Sequence, residues 1–299
     1  MRSSRRFGRG VVASGKKALP APDTWEVYLS RAGKDRAKRL EAWLFLMDNK
    51  RLPTLATIRN LRNMMLDGVP LERIDAYIRT LNPQYLSVFN VVKAMAVAPE
   101  LTLALEDLMK RFWNQGERKL PGLTDIVIDV SGSMGSIPLG GILDSGLLSR
   151  AVAVAYSLML AAEHYRIFFT AGDDDVRKHA TMHVEGIYGI RDLISKTSEA
   201  RSELRYGGIF TAQCVKWLNE KFSQPDRLIV ISDSQDIDEY HIGAKIDRPK
   251  RGRHMIEVNI APYKNVHVTD QSYGGNWTVI EGFADPVPYI RSVESANVV

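Results

Sequence analysis

Cysteine is nearly absent from this sequence. Cys214 is the only one in 299 residues, which excludes an intrachain disulfide and a zinc site built from several thiolates. Such usage fits a reducing compartment, and a cytoplasmic location is the expectation. Long apolar runs are also missing. The best candidate, Ala151–Ala162, is interrupted by Tyr156 and Ser157 and falls short of the ~18 residues of a membrane-spanning helix. The first residues are basic and lead into Gly, Ser and Pro rather than an apolar stretch, so neither a secretory leader nor a membrane partner is expected. Glycine (22) and proline (13) are too few for a fibrous or low-complexity chain, and 45% apolar residues suffice for a packed core.

Acid is missing from the first 19 residues, which hold Arg2, Arg5, Arg6, Arg9, Lys16 and Lys17. The net charge of +5 conceals a wider asymmetry. Through Lys119 there are 22 Lys+Arg against 12 Asp+Glu, and from Leu120 onward 18 against 23. A basic front and an acidic back predict domains with different partners. Residues 1–22 read as a flexible basic arm, because they carry too little apolar surface to offset ordering. Residues 23–118 read as helical and residues 119–299 as α/β.

Apolar residues recur at helical spacing in the second segment: Leu40, Trp43, Leu44 and Met47; Leu55, Ile58, Leu61 and Met65; Leu71, Ile74, Ile78 and Leu81. Further stripes follow to Phe112, and prolines punctuate them, predicting about five antiparallel helices. After Pro121-Gly122 the pattern changes. Short β-branched runs at 125–130, 166–170, 228–232, 255–260 and 277–281 alternate with helical stretches at 145–165, 189–204, 212–222 and 286–293, and 179–184 reads as an edge strand. Strands alternating with helices imply a doubly wound, Rossmann-like sheet whose ligands gather at the carboxyl ends of the strands.

Two of those strand ends carry oxygen. Asp129-Val130-Ser131-Gly132-Ser133 offers a carboxylate and two hydroxyls at alternate positions, and Ile231-Ser232-Asp233-Ser234 brings a second carboxylate. Such a set suits a hard divalent cation, Mg²⁺ or Mn²⁺, with a position left open for an incoming carboxylate. The competing reading is that Asp129 and the serines cap the helix that follows.

The motif Asp129-Val-Ser131-Gly-Ser133 after an apolar strand resembles the metal-ion-dependent adhesion site of von Willebrand factor A domains. The resemblance implies that Asp129, Ser131, Ser133 and Asp233 are metal-site residues, together with a threonine from an intervening loop. In Gly207-Gly208-Ile209-Phe210-Thr211 the usual threonine position holds Ile209. Either Thr211 serves through a shift of the loop, or the site lacks that ligand. The helical half is similar to the last helices of the TROVE module of the Ro ribonucleoprotein family, in Pro53–Met64 and Gln84–Phe89. The ending Ile280–Asp285 resembles that family's C-terminus. This likeness implies a component that binds structured or misfolded RNA, with Arg5, Arg6, Arg9, Lys16, Lys17, Arg59 and Arg62 as RNA-binding candidates. It also implies a protein partner presenting an acidic residue to the metal. About 95 helical residues are too few to close an RNA-sized ring alone, so a cyclic homo-oligomer is the simplest way to build one. The alternative is a metal-dependent interaction adaptor or assembly protein without specific RNA binding.

Other patterns carry less. Gly10–Lys17 mimics a phosphate loop, but Lys17 stands where Ser or Thr is required and no strand precedes it. His179 and His183 lack the glutamate of a helical zinc-hydrolase motif. Asp173-Asp174-Asp175 reads as a solvated loop, and Trp113 as packing at the domain junction. No nucleophile–base pair emerges, so no enzymatic activity is expected.

Overall fold

The computed structural model describes residues 23–84, 86, 88–137, 146–205, 207–236, 249–261, 277–282 and 285–296. The chain forms two compact units, the first holding the described residues 23–52 and the second beginning at Pro53. In the first, α1 (Trp25–Ala32) packs on α2 (Arg36–Asp48). The Asp35 carboxylate starts α2 by accepting from the backbone N–H groups of Ala37 (3.0 Å) and Lys38 (3.2 Å). Arg51 closes the unit. It donates to both Asp23 oxygens at 2.8 Å and lies near the stacked rings of Tyr28 and Phe45.

The second unit opens with α3 (Thr54–Asp67), α4 (Leu71–Thr80), α5 (Val88–Val97) and α6 (Thr102–Trp113). Gly68 ends α3 in the left-handed region at φ 92°, a conformation that glycine adopts without a Cβ penalty, and Pro70 then begins α4. Arg111 of α6 satisfies the carbonyls of Leu81 (2.8 Å) and Ile78 (3.1 Å) at the end of α4. The helical period holds, with six α-helices before the sheet among the described residues rather than about five. The additional one is α1, whose short sequence has a single buried residue, Leu29.

Six strands follow: β1 (Leu120–Asp129), β2 (Ala162–Asp173), β3 (Lys178–Val184), β4 (Arg227–Ser232), β5 (His254–Asn259) and β6 (Trp277–Glu281). Their order in the sheet is β3-β2-β1-β4-β5-β6. All neighbours are parallel except β2 and β3, which form an antiparallel edge hairpin. Helices α7 (Leu147–Ala161), α8 (Ile190–Leu204), α9 (Thr211–Lys221) and the C-terminal Val287–Ala296 connect and cover these strands. This is the doubly wound, Rossmann-like α/β fold expected, preceded by a small helical region.

One boundary differs usefully. The sequence suggests helix as far as Tyr165, whereas α7 stops at Ala161 and β2 begins at once. Pairing along β1 extends the strand, with Leu120 opposite Ala162 and Leu123 opposite His164. The Lys119 ammonium takes the Leu160 carbonyl at 2.7 Å, satisfying an acceptor in the last turn of α7.

The helical region and the sheet are joined within this unit by a carboxylate. Glu106 of α6, largely buried, accepts from the Ile190 backbone N–H at 2.8 Å and so caps α8. A side chain at Gly189 would meet that carboxylate at 2.8 Å, so glycine is needed for the approach. Arg191 adds a bond to the Pro99 carbonyl at 2.7 Å. Asp285 caps the C-terminal helix through the Val287 N–H (3.2 Å).

Inside the sheet, Asp125 of β1 is fully buried and held by two arginines. Arg251, also fully buried, donates to Oδ2 at 2.9 and 2.7 Å, and Arg166 donates to Oδ1 at 2.7 Å. Removing one member leaves uncompensated charge in the core. Asp125→Ala is expected to destabilise the protein by about 3–5 kcal/mol, measured by urea denaturation. A loss below about 1 kcal/mol would show that the network contributes no net stability.

Candidate metal centre

The chain crosses from one side of β1 to the other between β2 and β4. The carboxyl ends of β1 and β4 therefore flank the switch point where doubly wound sheets bind ligands. β1 delivers Asp129 there and β4 delivers Asp233, and both are fully buried.

Local bonding folds the loop after β1 tightly. The Ser131 N–H donates to Asp129 Oδ1 at 2.8 Å, and the Ser131 and Ser133 hydroxyls lie 3.4 Å apart. The Gly132 N–H donates to the Gly207 carbonyl at 2.8 Å, which pins this loop to the 207–211 segment. A Cβ at position 132 would stand 3.1 Å from that carbonyl oxygen. Ser133 is exposed, and its hydroxyl bonds to the Asp233 carboxylate. The backbone bond to Ser131 uses only one Asp129 oxygen. Oδ2 of Asp129 is buried without a hydrogen-bond partner.

Electrostatics follow from this burial. Desolvation first, then the neighbouring Asp233 charge, push the Asp129 carboxyl up to about 8, against lowering bonds from Ser131. Burial also raises Asp233, which the Ser133 hydroxyl partly counters. A buried carboxylate oxygen with no donor, set among oxygen ligands, suits a hard divalent cation. Asp129, Ser131, Ser133 and Asp233 would hold Mg²⁺ or Mn²⁺. Among the described residues no three His, Cys, Asp or Glu side chains form a ready cation cage, so such an ion would lean on hydroxyls and water.

The loop threonine resolves differently from a simple substitution. Ile209 is buried in the apolar cluster with Val127, Phe168 and Val230, and forms a parallel bridge to Asp236. Thr211 is buried at the start of α9, and its backbone N–H donates to Asp236 Oδ2 at 3.2 Å. Asp236 adds to the field that raises Asp129. Sequence reasoning missed this third carboxylate, for which the only signal is the Asp233-x-x-Asp236 spacing.

Two further residues were not legible. Arg201 of α8 donates to the carbonyls of Val130 and Ser131, both at 2.5 Å, and so holds the motif's backbone from outside. Glu257 of β5 accepts from the hydroxyls of Ser232 (3.1 Å) and Ser234 (2.7 Å). The hydroxyls on either side of Asp233 are thus turned to Glu257.

Of the RNA-binding candidates, Arg5, Arg6, Arg9, Lys16 and Lys17 lie outside the described residues, as does the Gly10–Lys17 segment. Arg59 and Arg62 are exposed on α3. The remaining patterns are structural. His179 bonds Thr181 at 3.0 Å, His183 stacks against Phe168 and Phe222, and Asp173 accepts from the N–H groups of Asp175 and Val176. Trp113 and Cys214 are buried.

Residues 10–79 match the TROVE domain family model. The match includes Pro53–Met64 but stops before Gln84–Phe89. The fold is similar to the crystal structure of the Ro (RSR) protein of Deinococcus radiodurans, with a TM-score of 0.52 at 16% sequence identity. The likeness covers 88% of this chain but only 56% of that one. No curated protein matches the sequence.

The raised Asp129 carboxyl sets a pH dependence. Its folded, metal-free form keeps the proton that the unfolded chain releases near pH 4. Stability without metal should therefore fall between about pH 4 and 8, and Asp129→Asn should reduce that fall to the share that Asp233 contributes. Mn²⁺ must displace the proton, so its affinity should rise roughly tenfold per pH unit below about 8. Denaturation and calorimetry across pH 5–9 check both. A pH-independent affinity would remove Asp129 from the site.

Proposed function

We propose that this protein is an RNA-binding component of a ribonucleoprotein, with a second, metal-assisted surface for a protein partner. The observation that carries the reading is the TROVE domain match over residues 10–79, a segment with 13 Lys+Arg against 8 Asp+Glu. The fold likeness to a Ro protein, across most of this chain, supports the same reading. Cations neutralise RNA phosphates and release counterions, giving affinity that depends steeply on salt. The acid-free sequence before residue 20 suits such a role.

The centre at the switch point supplies the second surface. Asp129, Ser131, Ser133 and Asp233 would hold the divalent ion, and Thr211 and Asp236 border it. An ion held by these residues would supply positive charge for a partner's carboxylate. Asp129 brings the charge that retains the ion, Ser133 orients Asp233, and Arg201 fixes the loop backbone. Among the described residues no helix is long and apolar enough to cross a membrane.

Full-length protein is expected to bind structured RNA with a log–log salt slope that flattens when residues 1–17 are deleted, by about 0.7–0.9 for each phosphate no longer neutralised. No binding even at low salt would overturn the RNA reading. Asp129→Ala should abolish Mg²⁺-dependent capture of an acidic peptide while leaving RNA affinity within about twofold, measured by anisotropy.

A further inference from the structure

Two carboxylates hold the start of α8, and only one of them belongs to it. Asp192, inside the helix, accepts from the backbone N–H groups of Tyr188 (3.0 Å) and Gly189 (3.2 Å). That cap is local, and it does not fix where the helix lies. Glu106 takes the next N–H, that of Ile190, from α6, and Gly189 leaves the space for its approach. The Glu106 carboxylate is largely buried beside the fully buried Tyr156 of α7, whose phenol is held neutral by burial first and then by the Glu106 charge. Placing a carboxylate there costs desolvation that an already capped helix does not require. What it adds is a fixed position for α8 against α6 and α7.

That position reaches the metal centre. α8 runs for 15 residues, about 22 Å, with Ile190, Leu193, Thr197 and Ala200 buried along one side. In its last turn Arg201 donates to the carbonyls of Val130 and Ser131, both at 2.5 Å, and reaches that of Gly132 at 3.5 Å. Just past the helix, the Gly207 carbonyl accepts from the Gly132 N–H. Ser131 and Ser133 are therefore carried on backbone that α8 grips from outside. A helix packed at this density transmits a displacement of one end to the other.

We propose that Glu106 is a positioning residue for the metal centre, acting from the helical region through α8 and Arg201. It bonds to none of Asp129, Ser131, Ser133 and Asp233. Without its carboxylate α8 shifts, Arg201 moves off the Val130 and Ser131 carbonyls, and the two serine hydroxyls lose their places beside Asp129 and Asp233. This rests on the metal reading above and extends it to a residue outside the α/β half.

The test is Mn²⁺ calorimetry on the full chain at one pH, with amide hydrogen exchange on the metal-free protein. Glu106→Ala should weaken Mn²⁺ binding about 3–10-fold, the scale of substitutions remote from a ligand, and speed exchange of the Gly132 N–H. Glu106→Gln keeps an acceptor for Ile190 and should return the affinity to within about twofold of wild type. Should Glu106→Ala fail to fold, Glu106→Asp, one methylene short of Ile190, carries the same expectation. Asp192→Ala removes the local cap without releasing α8 from α6, and should cost stability while leaving Mn²⁺ affinity within about twofold. Arg201→Ala should weaken Mn²⁺ about tenfold or more, and adding Glu106→Ala to it should change little, because the first residue acts through the second. Losses that multiply in the double variant would overturn the route through α8. An equal loss in Asp192→Ala would reduce Glu106 to a helix cap and overturn its positioning role. Wild-type uptake with unchanged affinity in Glu106→Ala would overturn the proposal and leave the metal reading standing. If wild type takes up no Mn²⁺ at millimolar concentration, the metal reading fails and the proposal falls with it.

Discussion

Two carboxylates four residues apart on β1 define what this sheet does. Both are fully buried, and they lie on the same face of the strand. Asp125 is matched by Arg166 and Arg251, so its charge is compensated and it ties β1 to β2 and to the segment before β5. Asp129 has no arginine and one oxygen without a donor. The first makes the centre of the sheet rigid. The second keeps a charge requirement open where the chain reverses direction across the sheet. The strand is anchored at one end so that its other end can remain electrostatically unsatisfied.

Rigidity reaches the switch point by a second route. Helix α8 begins under the Glu106 carboxylate of α6, and near its end Arg201 grips the carbonyls of Val130 and Ser131. Its orientation is thus set by the helical region at one end and by the loop after β1 at the other. Gly132 and Gly207 complete the arrangement, since their backbones meet at a separation that leaves little room for a side chain. The loop is preorganised by neighbours rather than by its own sequence.

Much of this was legible. The β-branched runs at Asp125–Val130 and Leu228–Ser232 located β1 and β4, because a strand covered on both faces must be apolar throughout. Their terminal oxygens marked the strand ends at the switch point for the same reason, as polar groups that end an apolar run. Other features were hidden by long-range geometry. Arg201 is one basic residue on a charged helix, and nothing in its spacing announces two carbonyls some 70 positions earlier. Ile209 looked like a lost ligand, yet its side chain belongs to the core beneath the sheet. Glu257 sits between Ile256 and Val258 in β5, and its serine partners were visible only as hydroxyls. The early start of β2 depended on the length of β1 rather than on the sequence of α7.

The placement of β1 at the middle of the sheet has a consequence for biosynthesis. One neighbour, β2, starts 42 residues after β1 starts, but the strand on its other side and the Arg251 partner of Asp125 come much later, Arg251 being 126 residues beyond it. At roughly 5–20 residues per second, translation separates Asp125 from that arginine by about 6–25 s. Throughout this interval the nascent chain holds an apolar strand with at least one open edge and a carboxylate awaiting its second arginine. The helices before Pro121 emerge with mostly local contacts and can form while the ribosome is still working. The sheet cannot close in that order. Its central strand waits for its last partners, and that wait is when the chain most needs protection from pairing with another copy of itself.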